Sequence, residues 1–343
     1  MLTRTRLLTF AIALLGVAVF HALHLPLPFL FGPMFACLGA ALAGVKMQGA
    51  GQVSVAARTV LGVAVGASIT PAILGQVPLM AVTLAMMPVY IALIGLIGVP
   101  FFQRICGFDR VTSYYAAMPG GFQDMVLFGQ EAGGNPRALS LIHATRVLVI
   151  VTLVPILLAG PFGVSLDQPI GAPAREVPLS EMGIMVVIAL IGWKGGERIG
   201  LFGAAILGPM ILAAILSLGD ILHHRPPAEA IMAAQFFIGM GIGMQFRGVT
   251  MGELRHDVAA GAAFAVILAA LAGVFTLLAL QIGGAPMLEA FLSFAPGGQA
   301  EMTVLAIVAG ADLGFIVVHH LVRLVIVITG APIAARLIWG KSK

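Results

Sequence analysis

MPGGFQDM at 118–125 and APGGQAEM at 295–302 are one phrase written twice. Pro119, Gly120 and Gly121 align with Pro296, Gly297 and Gly298, Asp124 with Glu301, and Met125 with Met302, all at an offset of 177. The register continues outward from the phrase. Downstream it places Asn135 on Asp312, His143 on His320, Arg146 on Arg323 and Pro155 on Pro332; upstream, Gly62 and Gly66 fall on Gly239 and Gly243. Near the start it slips by one residue, FGPM at 31–34 matching LGPM at 207–210, which one deletion explains. Chance does not hold a proline, an acid, a histidine, an arginine and a second proline in register, so the chain is a duplication.

Composition says what surrounds those repeats. Of 343 residues, 60% are apolar and 9% charged, with a mean hydropathy of +1.08. Soluble domains run at roughly 45–50% apolar and 25% charged. Too few polar side chains remain to coat a water-facing surface, so lipid is the solvent for most of the chain. At about 20 residues per crossing there is room for about ten to twelve transmembrane helices. No polar stretch reaches the roughly 50 residues of a small extramembrane domain. The net charge of +4 comes from 18 scattered Lys and Arg, and no nucleic-acid partner is expected. Cys37 and Cys106 lack the spacing of a metal site, so neither a metal nor a cofactor is expected. The opening MLTRTRLLTFAIALLGVAVF resembles a signal peptide but has no small-x-small cleavage site, and we read it as a first helix that stays.

Each half shows six apolar stretches, at 7–25, 28–45, 54–74, 78–101, 113–129 and 138–160, then at 180–193, 200–219, 230–246, 257–281, 288–308 and 313–338. The expected division is a first repeat at 1–165, a polar linker at 166–179 carrying Asp167, Arg175 and Glu176, and a second repeat at 180–343. The fifth stretch of each half carries Pro-Gly-Gly near its middle. Proline removes a backbone donor and glycine loosens the chain, which disfavours a straight lipid-facing helix; a re-entrant hairpin or a helix broken in two is expected. Gly62/Gly66 and Gly239/Gly243, each four apart, suit close helix packing.

The scarce charges choose the topology. With the amino terminus inside and five crossings per half, Arg4, Arg6, Lys46, Arg58, Arg104, Arg110, Arg137, Lys194, Arg198, Arg247, Arg255, Arg336, Lys341 and Lys343 are inside, and only Arg175 and Arg225 are outside. Six crossings per half carry Arg137, Lys194, Arg198, Arg247 and Arg255 to the outside, an inferior fit. The expected fold is therefore an all-α polytopic membrane protein of two inverted-topology repeats, each with five transmembrane helices and one PGG-interrupted element. Inverted repeats with interrupted helices are a recurring plan of secondary transporters.

An arginine at the centre of a membrane segment costs about 2.5–3.5 kcal/mol even on the lenient insertion scale. Each closing stretch holds one, Arg146 and Arg323, with an acid 22 residues upstream, Asp124 and Glu301. Buried Asp124/Arg146 and Glu301/Arg323 pairs are expected, each partner offsetting the other's desolvation. Such pairs can act merely as locks between the PGG element and the next helix, and the acids merely as first-turn helix acids. The functional reading assigns a substrate to Pro119, Gly120, Gly121, Gln123, Asp124 and Arg146 together with Pro296, Gly297, Gly298, Gln299, Glu301 and Arg323. Half-helix amino ends and arginines both favour an anion. Asp124, Glu301, His143, His320 and His319 are the candidates for coupling to H+ or Na+. His143 and His320 precede the arginines by three residues on one helix face, and packing histidines are the alternative. The 17 methionines are spread through the apolar runs and read as gap-fillers rather than copper ligands. Arg58, Thr59, Ser68 and Thr70 in one half, and Gln235, Gln245 and Arg247 in the other, are weaker site candidates.

The duplicated PGG-x-x-[DE]-M, the A-G-x-[ND] after it, the closing H-x-x-R and the early GPM of each half resemble the bacterial AbrB membrane-protein family, also described as the AbrB duplication family. The resemblance covers essentially the whole chain, and FAPGGQAEMTVLAIVAGAD with VVHHLVRLVIV carries it most specifically. A soluble DNA-binding regulator shares the family's name, and this sequence does not resemble it. Members carry disagreeing labels: ammonia monooxygenase, regulator of gene expression, transporter. The resemblance implies a multi-pass inner-membrane protein of two repeated modules, without an activity. Weighed on residues, the expectation is a transporter, not an enzyme, of a small organic anion or zwitterion. Both termini are expected in the cytoplasm, and a homodimer is a habit of such folds. The alternatives are a membrane scaffold or regulatory component and, less favoured, a copper monooxygenase whose ligands would be dispersed over both halves.

Overall fold

The computed structural model describes residues 3–166, 168–201 and 203–339. Asp167 of the expected linker, Lys341 and Lys343 of the orientation count, and the Arg336 side chain lie outside the described residues. Among the described residues every regular element is a helix. The first half supplies α1 (Arg4–Ala22), α2 (Pro28–Leu42), α3 (Gln52–Gly66), α4 (Ala81–Pro100), α5 (Arg110–Ala117), α6 (Phe122–Glu131) and α7 (Pro136–Ala159). The second supplies α8 (Leu179–Arg198), α9 (Ala204–Leu218), α10 (Ala228–Met244), α11 (Ala259–Gly283), α12 (Met287–Phe294), α13 (Gln299–Val308) and α14 (Leu313–Trp339). Six helical runs are long and apolar enough to cross a bilayer: Arg4–Ala22, Val77–Ile105, Pro136–Ala159, Leu179–Arg198, Met251–Gly283 and Leu313–Ala335. The chain is an all-α polytopic membrane protein.

Helix ends follow local chemistry. Thr3 caps α1 by accepting from the Arg6 amide at 3.2 Å, and the Asp109 carboxylate caps α5 by accepting from Val111 and Thr112 at 3.0 and 2.9 Å. Helix α1 stops at Ala22, short of the expected 25, because His24 turns the chain with a φ of +53°. Helix α3 stops at Gly66, short of 74, with Pro71 beyond it. Hydroxyls inside the spans return to their own helix: Thr145, Thr152 and Thr276 each donate to the carbonyl four residues back at 2.7 Å.

Two compact units result, and each draws on both halves. The first comprises Met1–Leu74, Leu157–Val249 and Thr303–Gly314, and so holds α1–α3 with α8–α10. Glycines that the duplication pairs make its crossings. Gly62 and Gly66 of α3 rest on the Ile206 and Met210 carbonyls of α9, while Gly239 and Gly243 of α10 rest on the Leu30 and Met34 carbonyls of α2. A methyl group at any of the four would strike that backbone. The third helix of each half thus packs on the second helix of the other. Where lipid tails are as apolar as leucine, close van der Waals contact of this kind is what holds helices together.

The second unit comprises Gly75–Ile156, Thr250–Met302 and Phe315–Lys343. Its core is built on Met87, Tyr90, Phe102, Leu139, Phe264 and Phe294, all fully buried. Helix α11 lies close on α7, where Gly261 faces Ile142 and Thr145, and on α4, where Gly98 faces Phe264. The PGG stretches break as their prolines require: α5 ends at Ala117 and α6 starts at Phe122, and α12 ends at Phe294 before α13 starts at Gln299. In the first half the two limbs fold back as a hairpin, because the Asn135 amide donates to Thr112 Oγ1 at 2.8 Å. Arg137 Nε donates to Glu253 Oε1 at 2.8 Å, and His256 Nε2 donates to the Cys106 carbonyl at 2.8 Å. These two contacts bring the hairpin base and residues 253–256 to one end of the unit.

Candidate functional site

When a helix stops, its last carbonyls lose their amide partners. At both breaks an arginine takes them up. Arg146 of α7, 3% exposed, donates from Nη1 to the Met118 carbonyl and from Nη2 to that of Gly120, at 3.1 and 2.8 Å. Arg323 of α14, 5% exposed, donates likewise to Ala295 and Gly297 at 2.8 and 2.9 Å. Bridging two carbonyls needs the planar fork of a guanidinium. One turn earlier, His143 Nε2 donates to the Tyr115 carbonyl at 3.1 Å and His320 Nε2 to that of Leu292 at 2.9 Å. The two halves therefore repeat one constellation at identical sequence separations.

The ion pairs expected from spacing do not form, since the hydrogen bonds of both guanidiniums run to main-chain carbonyls. The acids instead fold back on their own half-helices. The Asp124 carboxylate lies against Gly121 and that of Glu301 against Gly298, so closely that a methyl group on either glycine would strike it. Both acids stand in the first helical turn, where unpaired amides and the helix dipole attract an anion. Among the described residues, Arg146 Nε is buried without a hydrogen-bond partner, as are His143 Nδ1 and Ser293 Oγ.

Pro119, Gly120, Pro296, Gly297 and Glu301 are buried at the breaks. Gly121, Asp124, Gly298 and Gln299 are half-buried, and Gln123 is exposed. His319 looks to α4: its Nδ1 donates to the Phe315 carbonyl at 2.8 Å and its Nε2 lies 2.8 Å from Thr83 Oγ1. Arg58, Thr59, Ser68, Thr70, Gln235, Gln245 and Arg247 belong to the first unit, and both arginine sites belong to the second. Among the described residues no three His, Cys, Asp or Glu side chains gather as metal ligands.

The residues missed in the sequence are the tyrosines. Tyr90 donates to the Phe294 carbonyl at 2.7 Å, beside the second break, and Tyr114 donates to the Ala331 carbonyl at 2.8 Å. The chain has 3 tyrosines, all in the second unit. Their rarity in so apolar a sequence was the available signal.

A family model described as "Transition state regulatory protein AbrB" matches residues 29–339, a span holding both PGG phrases and both arginines. The chain belongs to the AbrB family. It is 25% identical to "Putative regulator AbrB" of Escherichia coli (strain K12) over 337 residues, 93% of this chain and 92% of that protein. It is 26% identical to "Uncharacterized protein YhjN" of Bacillus subtilis (strain 168) over 245 residues, 67% of this chain. That match spans 64% of the Bacillus protein, just under two thirds of its length. No solved structure matches.

Proposed function

We propose that this AbrB-family protein is a secondary transporter of a small organic anion or zwitterion, working by alternating access around the two PGG breaks and coupled to H+ or Na+. The observation that carries the reading is the pair of buried arginines at the two breaks, each bonded to carbonyls and neither to a carboxylate. Carbonyl bonds alone suffice for a structural lock. They leave two cationic charges buried without ion-pair partners, an arrangement whose cost an incoming anion offsets. Interrupted helices at membrane depth are where transporters hold substrate.

The inverted topology, with the bacterial inner membrane as location and both termini cytoplasmic, belongs to the same reading. It is supported by the contacts at the hairpin base. Six crossings per half would put Cys106 and His256 on opposite sides of the membrane, whereas their 2.8 Å hydrogen bond needs one side. Five crossings and a hairpin per half put both inside.

Uptake into proteoliposomes of purified protein, measured for a panel of organic acids, amino acids and amines with and without H+ and Na+ gradients, tests the proposal. Gradient-driven accumulation of an anion or zwitterion is expected, lost in Arg146→Gln and Arg323→Gln. No flux of any panel member would favour the regulatory reading that the Escherichia coli relative's name suggests. Stoichiometric copper or iron in the purified protein would favour the oxygenase reading.

A further inference from the structure

A groove runs along the first compact unit between α3, α8 and the amino end of α10. Val63 and Met185, both buried, form its floor, and Val186 and Leu190 of α8, 59% and 53% exposed, form its rim. Thr59 brings a hydroxyl to the lining, but that hydroxyl already donates to the Ala56 carbonyl of its own helix at 2.7 Å. The lining side chains thus present no free donor, and apolar cavities of this kind stay dry. Helix α8 is long and apolar enough to cross a bilayer, so the open side of the groove faces hydrocarbon.

Size selects the occupant. From Met182 to Leu190 the groove follows α8 for about 12 Å, at about 1.5 Å per residue. Its volume is 270 Å³, or 680 Å³ counted out to the open side. Even the larger volume, spread over that length, gives a section of about 57 Å², short of the roughly 80 Å² of a helix about 10 Å across. A helix from a second copy does not fit, whereas one extended hydrocarbon chain does.

One end of the groove is polar. Met182 of the lining follows Glu181, whose carboxylate accepts from the His223 and His224 amides at 3.0 Å each. His223 Nε2 lies 3.2 Å from Asp220 Oδ1, and the Asp220 side chain is 96% exposed. Arg225 stands between His224 and the lining residue Pro226, its Cα about 3.8 Å from that of the proline. It is exposed, and among the described residues it has no carboxylate partner. One guanidinium, two carboxylates and two imidazoles are therefore gathered where α8 and α10 both begin.

We propose that the groove holds one acyl chain of a phospholipid with an amine headgroup, its phosphodiester bound by Arg225 and its ammonium by Asp220. The guanidinium fork matches two phosphate oxygens. A lipid of net negative charge would bring that charge to Glu181 and Asp220, whereas an ammonium complements them. The proposal stands apart from the transport reading and does not depend on it.

Native mass spectrometry of the purified, delipidated full-length protein tests it, with phosphatidylethanolamine titrated in and phosphatidylglycerol and phosphatidylcholine of the same chains as comparisons. One tightly held phosphatidylethanolamine is expected, with the other two lipids clearly weaker. Arg225→Gln loses a bidentate charge-assisted contact and is expected to weaken that binding about tenfold. Ala189→Phe, which puts a ring into the groove, is expected to abolish it; Val187→Phe, on the exposed face of α8 outside the lining, is expected to leave it unchanged and controls for folding. A diazirine at the middle of the lipid chain is expected to label peptides of α8 or α10 in the wild type and neither in Ala189→Phe. Undiminished binding in Ala189→Phe or in Arg225→Gln, equal binding of the three lipids, or labelling confined to other helices overturns the proposal. A dimer that Ala189→Phe dissolves, with no lipid bound by the wild type, assigns the groove to a second copy and overturns it as well.

Discussion

Arg146 and Arg323 show how far spacing carries an argument about single residues. Their depth and their constant distance from an acid singled them out correctly as residues of the PGG elements, but the partner inferred from that distance was wrong. Twenty-two residues separate acid and arginine in the chain, yet the acid lies beyond the break in a new helix whose first turn offers it unpaired amides at once. The arginine comes up alongside the preceding helix and meets the carbonyls which that helix leaves open. Arg146→Gln removes two charge-assisted hydrogen bonds, each worth about 1.5–3 kcal/mol. Thermal unfolding in detergent should show a clear fall in midpoint, and Arg146→Lys, which keeps the charge but loses the fork, should fall less. His143→Leu leaves the Tyr115 carbonyl buried without its donor, at a cost of about 1–3 kcal/mol, and is expected to lower the same midpoint.

At the scale of elements, proline and glycine made the interruption readable and left its form open. A helix broken in two and a hairpin differ only in where the second limb points. That is decided by a contact between residues far apart in sequence, the bond from the Asn135 amide to Thr112. Glycine spacing on α3 and α10 was equally readable as a packing signal, but the partner helices were not. Backbone carbonyls of α9 and α2 sit where a Cβ would be. Gly239→Leu is therefore expected to destabilise by about 1–3 kcal/mol or more. Gly241→Leu, on the same helix with open space around it, should be close to neutral or slightly stabilising. Unfolding midpoints of the two variants, measured side by side, check this.

At the scale of the molecule, the halves that the sequence divides are not the bodies that form. Each compact unit takes helices from both halves, α1–α3 with α8–α10 in one and both arginine sites in the other. In a background lacking Cys37 and Cys106, a single cysteine at His223 should be labelled by an impermeant thiol reagent from outside the cell, and one at Arg247 only after the membrane is opened. Labelling of position 223 from the cytoplasmic side would overturn the inverted topology. Membrane residence, the duplication, the sites of interruption and the two buried arginines were determined by the sequence alone, because each rests on local composition or on a register within the chain. The interleaving of the halves, the carbonyl partners of the arginines and the return of the acids to their own helix ends were decided only by the tertiary structure. They depend on which unpaired backbone groups and which glycine-lined faces meet in space, and spacing along a chain does not carry that information.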